Sequence, residues 1–490
     1  MKHNILILNC SQPGPNEALL WNSFYDANKE SFNCIFFTAM NFAGLSVRPQ
    51  IVIDYGRIES AMDISALDEK VLVSLREIAT YDRIWNCYDP VDSIKRAFYW
   101  YCFWREAIRL YAPFAVYIWN GYHIPEAALA EVAKELKISR YYMERGPFAK
   151  TFVCDSQGIN YASSFVREYI EDNGLINDKR VKDFAQAYLK NGVSNWEQPE
   201  LTTGKKEFMA KYGIPEDKLL FFFPSQVDAD SNSKVFSPHF KSIYDAYHSV
   251  SLALEDINDK VFLLAKQHPK QDDANLFESV KPSSGKWIND AHIFDCIRYS
   301  DAVISVNSSA AVEAAIIGKP VLILGQSILA SNYEVIKIEE REELIAGIKE
   351  LIALCKKREN KIDYKYFDRL LFQYLYTASE DYKRVGVRSV EKMPVPSSDC
   401  SDQARLFSLR EIEFAAEILA KYESINQKRN IIRSMENTIM DKDRTIDGIL
   451  HDKDKIINDL VNTWSWKITK PLRRLGELVL SVKKHRNVNT

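Results

Sequence analysis

Asp301-Ala-Val-Ile-Ser-Val-Asn-Ser-Ser-Ala-Ala-Val-Glu-Ala-Ala-Ile-Ile-Gly-Lys-Pro-Val-Leu-Ile-Leu-Gly325 is the stretch that decides the fold. Ala302 to Val306 is a short continuous apolar run, the pattern of a strand buried on both faces. A polar turn follows, then an Ala-rich helix, then a second buried strand from Pro320 to Leu324. Ser308 and Ser309 stand where the helix begins. Their hydroxyls and the unbonded N–H groups of the first turn form an anion site, favoured by the positive end of the helix dipole. Gly318 closes the helix and allows the tight return to the sheet. A phosphate at the carboxyl edge of a parallel sheet is the natural reading. The plainer alternative is that Ser308 only caps its helix.

A second motif bears on that choice. Lys260-Val-Phe-Leu-Leu-Ala-Lys-Gln-His-Pro-Lys270 is another apolar strand, and Pro269 cannot continue it. Lys266 and His268 therefore sit near a strand end, where cationic and imidazole N–H donors meet phosphate or carboxylate. A lone His-Pro is most often a turn. Paired with an Asn-Ser-Ser helix start further along the chain, it points to a nucleotide-phosphate site.

The chain has 490 residues, 46% hydrophobic and 12% aromatic, enough for two or three domains with sizeable cores. A net charge of −3 argues against a general nucleic-acid binder. The eight cysteines are scattered, with no Cys-x-x-Cys, which points to a reducing compartment and no zinc site. The apolar run in Met1-Lys-His-Asn-Ile-Leu-Ile-Leu-Asn-Cys10 is too short for a signal peptide and reads as a first core strand. No run of about 18 apolar residues predicts a transmembrane helix.

Working outward, residues 1–200 alternate strand-like and helix-like segments. Asn4 to Leu8, Cys34 to Thr38, Arg83 to Cys87, Phe114 to Trp119 and Tyr141 to Met143 read as strands. Pro125 to Leu136, with Pro at its start, reads as a helix. So does the aromatic-rich Phe98 to Tyr111, as core packing rather than a cofactor box. Strands alternating with helices imply a parallel sheet covered on both faces. Around Asn191 to Lys206 the pattern breaks into linker-type residues. A second α/β unit, residues 201–365, follows with strands Leu219 to Pro224, Val261 to Lys266, Ala302 to Val306 and Val321 to Leu324. Val335 to Glu340 is a further short strand and Glu342 to Lys357 a helix. Residues 366–422 read as helices that pack back across both units.

The remainder differs in kind. In residues 423–462, Ile425, Ile432, Ile439, Ile446, Lys453 and Leu460 recur at heptad spacing, with Met435, Ile449 and Ile456 as companions. This is a coiled-coil pattern, and its alternative is one amphipathic helix docked on the body. In residues 463–490, Ile468, Leu472, Leu475, Val479 and Val482 share a helical face beside Trp464 and Trp466 and a set of Lys and Arg. Such a segment fits docking on an anionic membrane surface, or else a partner-protein helix.

Acids at strand ends around a cleft suit transfer at an electrophilic carbon, one as nucleophile and another as acid or base. Glu144 ends a strand before Gly146-Pro147, and Asp228 and Asp230 follow Phe221-Phe-Phe-Pro224. The alternative for any single acid is an ordinary polar loop residue.

Ile118-Trp-Asn-Gly121, Glu144-x-Gly146, Asp155-x-x-Gly-x-Asn160, Gln226-Val-x-x-Asp-Ser231, Lys266-x-His-Pro269 and Asn307-Ser-Ser-x-x-x-Glu313 run in one order along the chain. Together they resemble the bacterial capsule-polysaccharide biosynthesis family, which includes the retaining β-Kdo transferases of capsule and O-antigen assembly. The ending Trp464-Ser-Trp-Lys-Ile-Thr-Lys-Pro-Leu-Arg473 also resembles that of several polysaccharide-assembly glycosyltransferases. The resemblance implies an α/β, GT-B-like fold: two Rossmann-like domains facing a cleft, here followed by a coiled-coil helix and an amphipathic tail. It implies CMP-β-Kdo as donor, with no metal or other cofactor. Lys266, His268, Pro269, Asn307, Ser308 and Ser309 would hold the CMP phosphate, and Glu313 would reach ribose or base. Asp230 matches the family's nucleophile and Glu144 its second acid. Gly146, Asn160, Gln226 and Ser231 fall in the same motifs and are expected near substrate. Lys266, Lys270 and Arg145 are candidates to pair with the carboxylate of Kdo.

A lipid-linked surface glycan is the implied acceptor. A homo-oligomer through the coiled coil, or contact with other assembly enzymes, and a peripheral place on the cytoplasmic face of the inner membrane complete the expectation. Two competing readings are a CDP-polyol phosphotransferase of the teichoic-acid type, which also pairs His-Pro with a Ser-Ser helix start, and a non-enzymatic coiled-coil scaffold.

Overall fold

The structure is a computed structural model. It describes residues 2–9, 14–39, 44–47, 49–53, 69–86, 90–167, 197–202, 204–257, 260–270, 280, 282, 284–331, 335–357, 375–377, 388–390, 393–395 and 453. The chain divides into two compact units, 1–412 and 413–490, and all described residues but Lys453 belong to the first. The coiled-coil and amphipathic-tail expectations thus lie outside the described residues.

The first domain is laid down as β1 (His3–Asn9), α1 (Pro15–Asn28), β2 (Phe32–Thr38), β3 (Gln50–Val52), α2 (Glu69–Asn86), α3 (Pro90–Tyr111), β4 (Pro113–Trp119), α4 (Ile124–Glu135), β5 (Ser139–Arg145) and β6 (Thr151–Asp155). The second follows as α5 (Lys205–Tyr212), β7 (Leu219–Pro224), α6 (Ser231–Lys234), α7 (Ile243–Ile257), β8 (Val261–Lys266), β9 (Gly285–Ile288), α8 (Ile293–Tyr299), β10 (Ala302–Ser305), α9 (Ser309–Ile316), β11 (Val321–Ile323), β12 (Ile336–Lys337) and α10 (Leu344–Lys357). Strands β13 (Leu375–Thr377) and β14 (Arg388–Ser389) come last.

The second sheet runs β12-β11-β10-β7-β8-β9 with every pair parallel. That is the doubly wound Rossmann order, with its reversal between β7 and β10. Its strands read as unbroken apolar runs because both faces are covered. Phe221, Phe223 and Tyr247 pack on one side, and Phe222, Leu264 and Ala311 on the other.

The first sheet runs β14-β13-β6-β5-β4-β1-β2-β3, with the same reversal between β1 and β4. It is mixed rather than wholly parallel. β6 is antiparallel to β5, and β13 antiparallel to β6. Only the turn 146–150 joins β5 to β6, far short of the dozen or so residues that a parallel crossover needs. Two Rossmann-like domains in one body make the fold GT-B-like.

Two expectations are corrected. Arg83 to Asn86 is not strand but the end of α2, and Cys87 lies outside the described residues. Leu75, Ile78, Ala79 and Asp82 are buried at helical spacing. Trp85 stacks at 4.3 Å on His123 and donates to the Tyr122 carbonyl at 2.6 Å, so the apolar end of this segment serves a helix layer. Residues 375–377 and 388–389, read as helical, are strands that extend the first sheet beyond β6. An unpaired β6 edge selects extended partners over helical propensity. Of the linker, residues 197–202 and 204–206 are described. Thr202 donates its N–H to Asp295 (2.7 Å), so this segment belongs to the second domain.

The two domains share one apolar cluster. Tyr122, Phe148 and Val153 of the first pack with Phe236 and Val312 of the second, and the Tyr122 and Phe236 rings meet edge-on at 5.2 Å. No helix among the described residues is long and apolar enough to cross a membrane.

Candidate active site

At the reversal in the second sheet, β7 and β10 diverge, and the residues just past them are tied together. Gln226 donates through Nε2 to Asn307 Oδ1 (2.8 Å), while Asn307 N–H donates to Gln226 Oε1 (3.2 Å). Asn307 Nδ2 lies within reach of the carbonyls of Asn232 (2.8 Å), Phe236 (3.1 Å) and Gln326 (3.1 Å). The Asn307 amide thus spends its hydrogen-bonding capacity inside the protein. The two side chains hold three loops at the strand ends. Ser308 caps α9, its Oγ accepting from Ala310 N–H (3.3 Å), while Ser309 next to it is exposed.

The Asp155-x-x-Gly-x-Asn160 motif is a brace of the same kind. Buried Asp155 accepts from the N–H groups of Gln157 (2.7 Å), Gly158 (3.2 Å) and Ser164 (3.0 Å). The turn so formed presents Asn160 with φ of 51° to the cleft.

The two acids converge from opposite domains. Glu144 is the penultimate residue of β5, and Asp230 caps α6 through Asn232 N–H (2.8 Å). Burial and then the Asp230 charge push the Glu144 carboxyl from 4.5 up to about 7, against hydrogen bonds from Arg145 and Asn120 that favour ionisation. Burial also raises Asp230, with the Asn232 N–H and the Arg145 charge opposing it. Asp228, two residues earlier, accepts from Ile243 N–H (2.7 Å) at the start of α7 and does not line the cleft. Of the two neighbouring aspartates, Asp230 is the one presented to the site.

A basic wall stands opposite. His268 Nδ1 accepts from Lys270 N–H (3.1 Å), which leaves the ring proton on Nε2. Burial, then the charges of Lys266, Arg145 and Lys270, push His268 down to about 4. The ring is therefore neutral near pH 7 and acts as a donor, not a cation. Arg145 pairs through Nε with buried Glu17 of α1.

A cavity of about 620 Å³ joins these groups. Its wall includes Glu144, Gly146, Asn160, Gln226, Asp230, His268, Asn307, Ser308 and Ser309 from the predicted set, together with Arg145 and Lys270. Four predicted residues stay out of the wall. Lys266 is buried, its Nζ near the Gln267 carbonyl (3.4 Å), within the fields of Cys296 and Asp290. Lys266 is the last residue of β8, and His268, in the turn just past the strand, takes the wall position. Pro269 is exposed and only turns the chain. Glu313 is buried on the second turn of α9, away from the wall. Ser231 is buried behind Asp230.

Sequence reasoning passed over Glu17, Lys150 and Asn232, and quoted Asn120 in a motif without giving it a role. Asn120 carried a further signal: an Asn-Gly at a strand end marks left-handed backbone, and Asn120 and Gly121 have φ of 65° and 94°. Among the described residues no cluster of three or more His, Cys, Asp or Glu has metal-ligand geometry.

The class of molecule defined so far is a GT-B-like protein with an acid from each domain in one cleft. Comparison with known proteins gives related names. No family model matches the sequence. Protein FixF of Sinorhizobium fredii (strain NBRC 101917 / NGR234) is 29% identical over 213 residues, 43% of this chain and 48% of FixF. The match therefore spans about half the length of that curated relative. Among solved structures, the chain is similar to the β-Kdo 2,7 transferase of Thermosulfurimonas dismutans KpsC, at 19% identity and TM-score 0.35, over 55% of this chain and 84% of that one. It is similar also to the β-Kdo 2,4 transferase of the same KpsC, at 15% identity and TM-score 0.39, over 54% and 81%.

Proposed function

We propose that this protein is a retaining glycosyltransferase that moves Kdo, or a related ulosonic acid, from its CMP-β-linked donor to a surface-polysaccharide acceptor of the O-antigen or capsule type. The observation that carries the reading is the pairing of Glu144 and Asp230 across one cavity, with the Glu144 carboxyl pushed up to about 7 by burial and by the Asp230 charge. A carboxyl group so shifted suits the acid–base part and leaves the nucleophile's part to its partner.

In the first step an Asp230 oxygen bonds to the anomeric carbon as the bond from that carbon to the phosphate oxygen breaks. The electron pair leaves with CMP. His268 Nε2–H, Ser309 and the N-terminus of α9 meet the released charge, with no cofactor in this scheme. In the second step the acceptor hydroxyl oxygen bonds to the same carbon, the bond to Asp230 breaks, and the hydroxyl proton passes to Glu144. Two inversions return the original configuration. As Asp230 regains its charge, Glu144 binds the incoming proton more strongly, because the Asp230 charge is one of the causes of its raised affinity. Arg145 and Lys270, both on the cavity wall, take the donor carboxylate in place of Lys266. The basic tail and the heptad segment are assigned to the anionic inner-membrane surface and to self-association or contact with other assembly enzymes.

The test is donor turnover. Purified protein is incubated with CMP-Kdo made in situ, or with CDP-glycerol, and a panel of lipid-linked or synthetic glycans, followed by mass spectrometry of product and protein. One Kdo added to an acceptor, and an adduct mapping to Asp230, are expected. Turnover of CDP-glycerol but not CMP-Kdo would replace the reading with a polyol phosphotransferase. Full activity in Asp230→Ala would remove the nucleophile.

A further inference from the structure

Asn120 ends β4, at the reversal of the first sheet, in a left-handed conformation (φ 65°) that Asn tolerates better than most residues. Its Oδ1 accepts from Tyr122 N–H (3.3 Å), which fixes which end of the amide carries the hydrogens. Those two hydrogens are then both used. Nδ2 lies 2.8 Å from Glu144 Oε2 and 3.0 Å from Ser231 Oγ. Ser231 follows Asp230 directly and opens α6. One buried amide thus joins the acid of the first domain to the loop that carries the acid of the second.

We infer that Asn120 is a positioning residue that couples the seating of the two domains to the proton affinity of Glu144. The inference rests on the acid–base role proposed for Glu144. A donor held against a carboxylate favours the ionised form. Ser231, by accepting the other hydrogen, holds the amide in the orientation that makes this donation. The groups that face Glu144 are few. Arg145 donates its N–H to Oε1 (2.8 Å) and adds a positive field, with its guanidinium paired to Glu17 of α1. Asp230 adds a negative field from the second domain. Asn120 opposes both the burial and the Asp230 field, through an amide whose other hydrogen is held by Ser231.

The experiment follows the Glu144 carboxyl directly, in the full chain without substrate, by ¹³C-carboxyl NMR titration of glutamate-labelled protein, with Glu144→Gln assigning the signal. Asn120→Gly keeps the left-handed backbone and deletes the donor. It should raise the midpoint by about one unit, as loss of one hydrogen bond to a charged group implies. Asn120→Asp replaces donor by acceptor and should raise it further. Ser231→Ala should raise it less, and should add nothing in the Asn120→Gly background, since two members of one chain of contacts are not additive. Circular dichroism identifies any variant that does not fold, and the remaining variants decide. An unmoved midpoint in Asn120→Gly, or additive Asn120 and Ser231 effects, overturns the inference. Because no donor is present, its failure is separate from that of the transferase reading. Absence of CMP-Kdo turnover with the expected titration would remove the function and leave the coupling.

Discussion

Glu144→Gln is expected to make the protein more stable at alkaline pH while abolishing transfer. The native state holds the Glu144 proton up to about pH 7, whereas an ordinary carboxyl releases it near 4.5. Between those values the unfolded chain binds fewer protons than the native one, so stability falls as pH rises. Below 4.5 the penalty is absent, and above about 7 it is complete. At about 1.4 kcal/mol per unit, the ionised carboxylate costs the native state about 3 kcal/mol. Glutamine has the same shape and never ionises. Its amide NH₂ does meet either Asn120 Nδ2 or Arg145 N–H, two donors that now face a third. That mismatch costs about 1 kcal/mol, but it is independent of pH and cancels when two pH values are compared. Asp230 titrates in both proteins. Urea unfolding followed by tryptophan fluorescence at pH 5, 6, 7 and 8 measures the difference between variant and wild type. It should climb by about 2 to 3 kcal/mol from pH 5 to 8 and then level off. A difference that stays flat over that range would mean that Glu144 is ionised throughout, and its assignment as acid–base group would fall with it.

Gly121→Ala should lower the thermal midpoint, with a cost of about 2 kcal/mol. Its φ is 94°, and an added Cβ would stand 2.6 Å from the Tyr142 ring. Asn307→Ala removes the amide that binds the loops after β7, α6 and β11, so differential scanning calorimetry should show a loss of about 3 kcal/mol, and CMP affinity should fall as well. His268→Ala should weaken CMP binding at least tenfold by calorimetry. The wild-type contribution should be constant from pH 5.5 to 8, because a ring that titrates near 4 is already neutral there. A binding curve that strengthens as pH drops through 6.5 would instead show a cationic imidazole. Transfer should survive extensive dialysis against EDTA, since the phosphate charge is assigned to side chains and a helix N-terminus. Loss restored by a divalent cation would refute that assignment.

The second domain was legible in the sequence because its sheet is wholly parallel. Phe221-Phe-Phe, Val261-Phe-Leu-Leu-Ala and Ala302-Val-Ile are buried on both faces, so each is a continuous apolar run with no rival reading. In the first domain the same condition holds at β1, β2 and β4, and the strand Tyr141 to Met143 and the helix Pro125 to Leu136 were legible as well. Arg83-Ile-Trp-Asn86 was apolar enough for a strand, yet its apolar partners lie at Leu75, Ile78 and Ala79, upstream at helical spacing. Residues 375–377 and 388–389 were beyond reach for another reason. The first segment pairs with the edge of β6, more than two hundred residues away, the second segment pairs with the first, and no local pattern records a vacant edge.

The site divides along the same line, between what a residue type can do and which way it faces. His-Pro and Ser-Ser-x-x-x-Glu marked loops that border one cavity, but not that Lys266 and Glu313 turn inward while His268 and Ser309 face it. Asn307 and Gln226, expected near substrate, stand on the cavity wall and are also bound to each other and to backbone. This is what a switch-point cleft demands. The strand ends diverge there, so their loops lack sheet partners, and buried amides must supply the missing hydrogen bonds before any ligand arrives. A sequence motif in such a place therefore mixes residues that touch substrate with residues that hold the loops. Asn120 braces a strand end and at the same time donates to Glu144. That double duty explains how the Asn-Gly of Ile118-Trp-Asn-Gly121, to which the sequence assigned no role, stands between the two carboxyl groups on which the proposed chemistry depends.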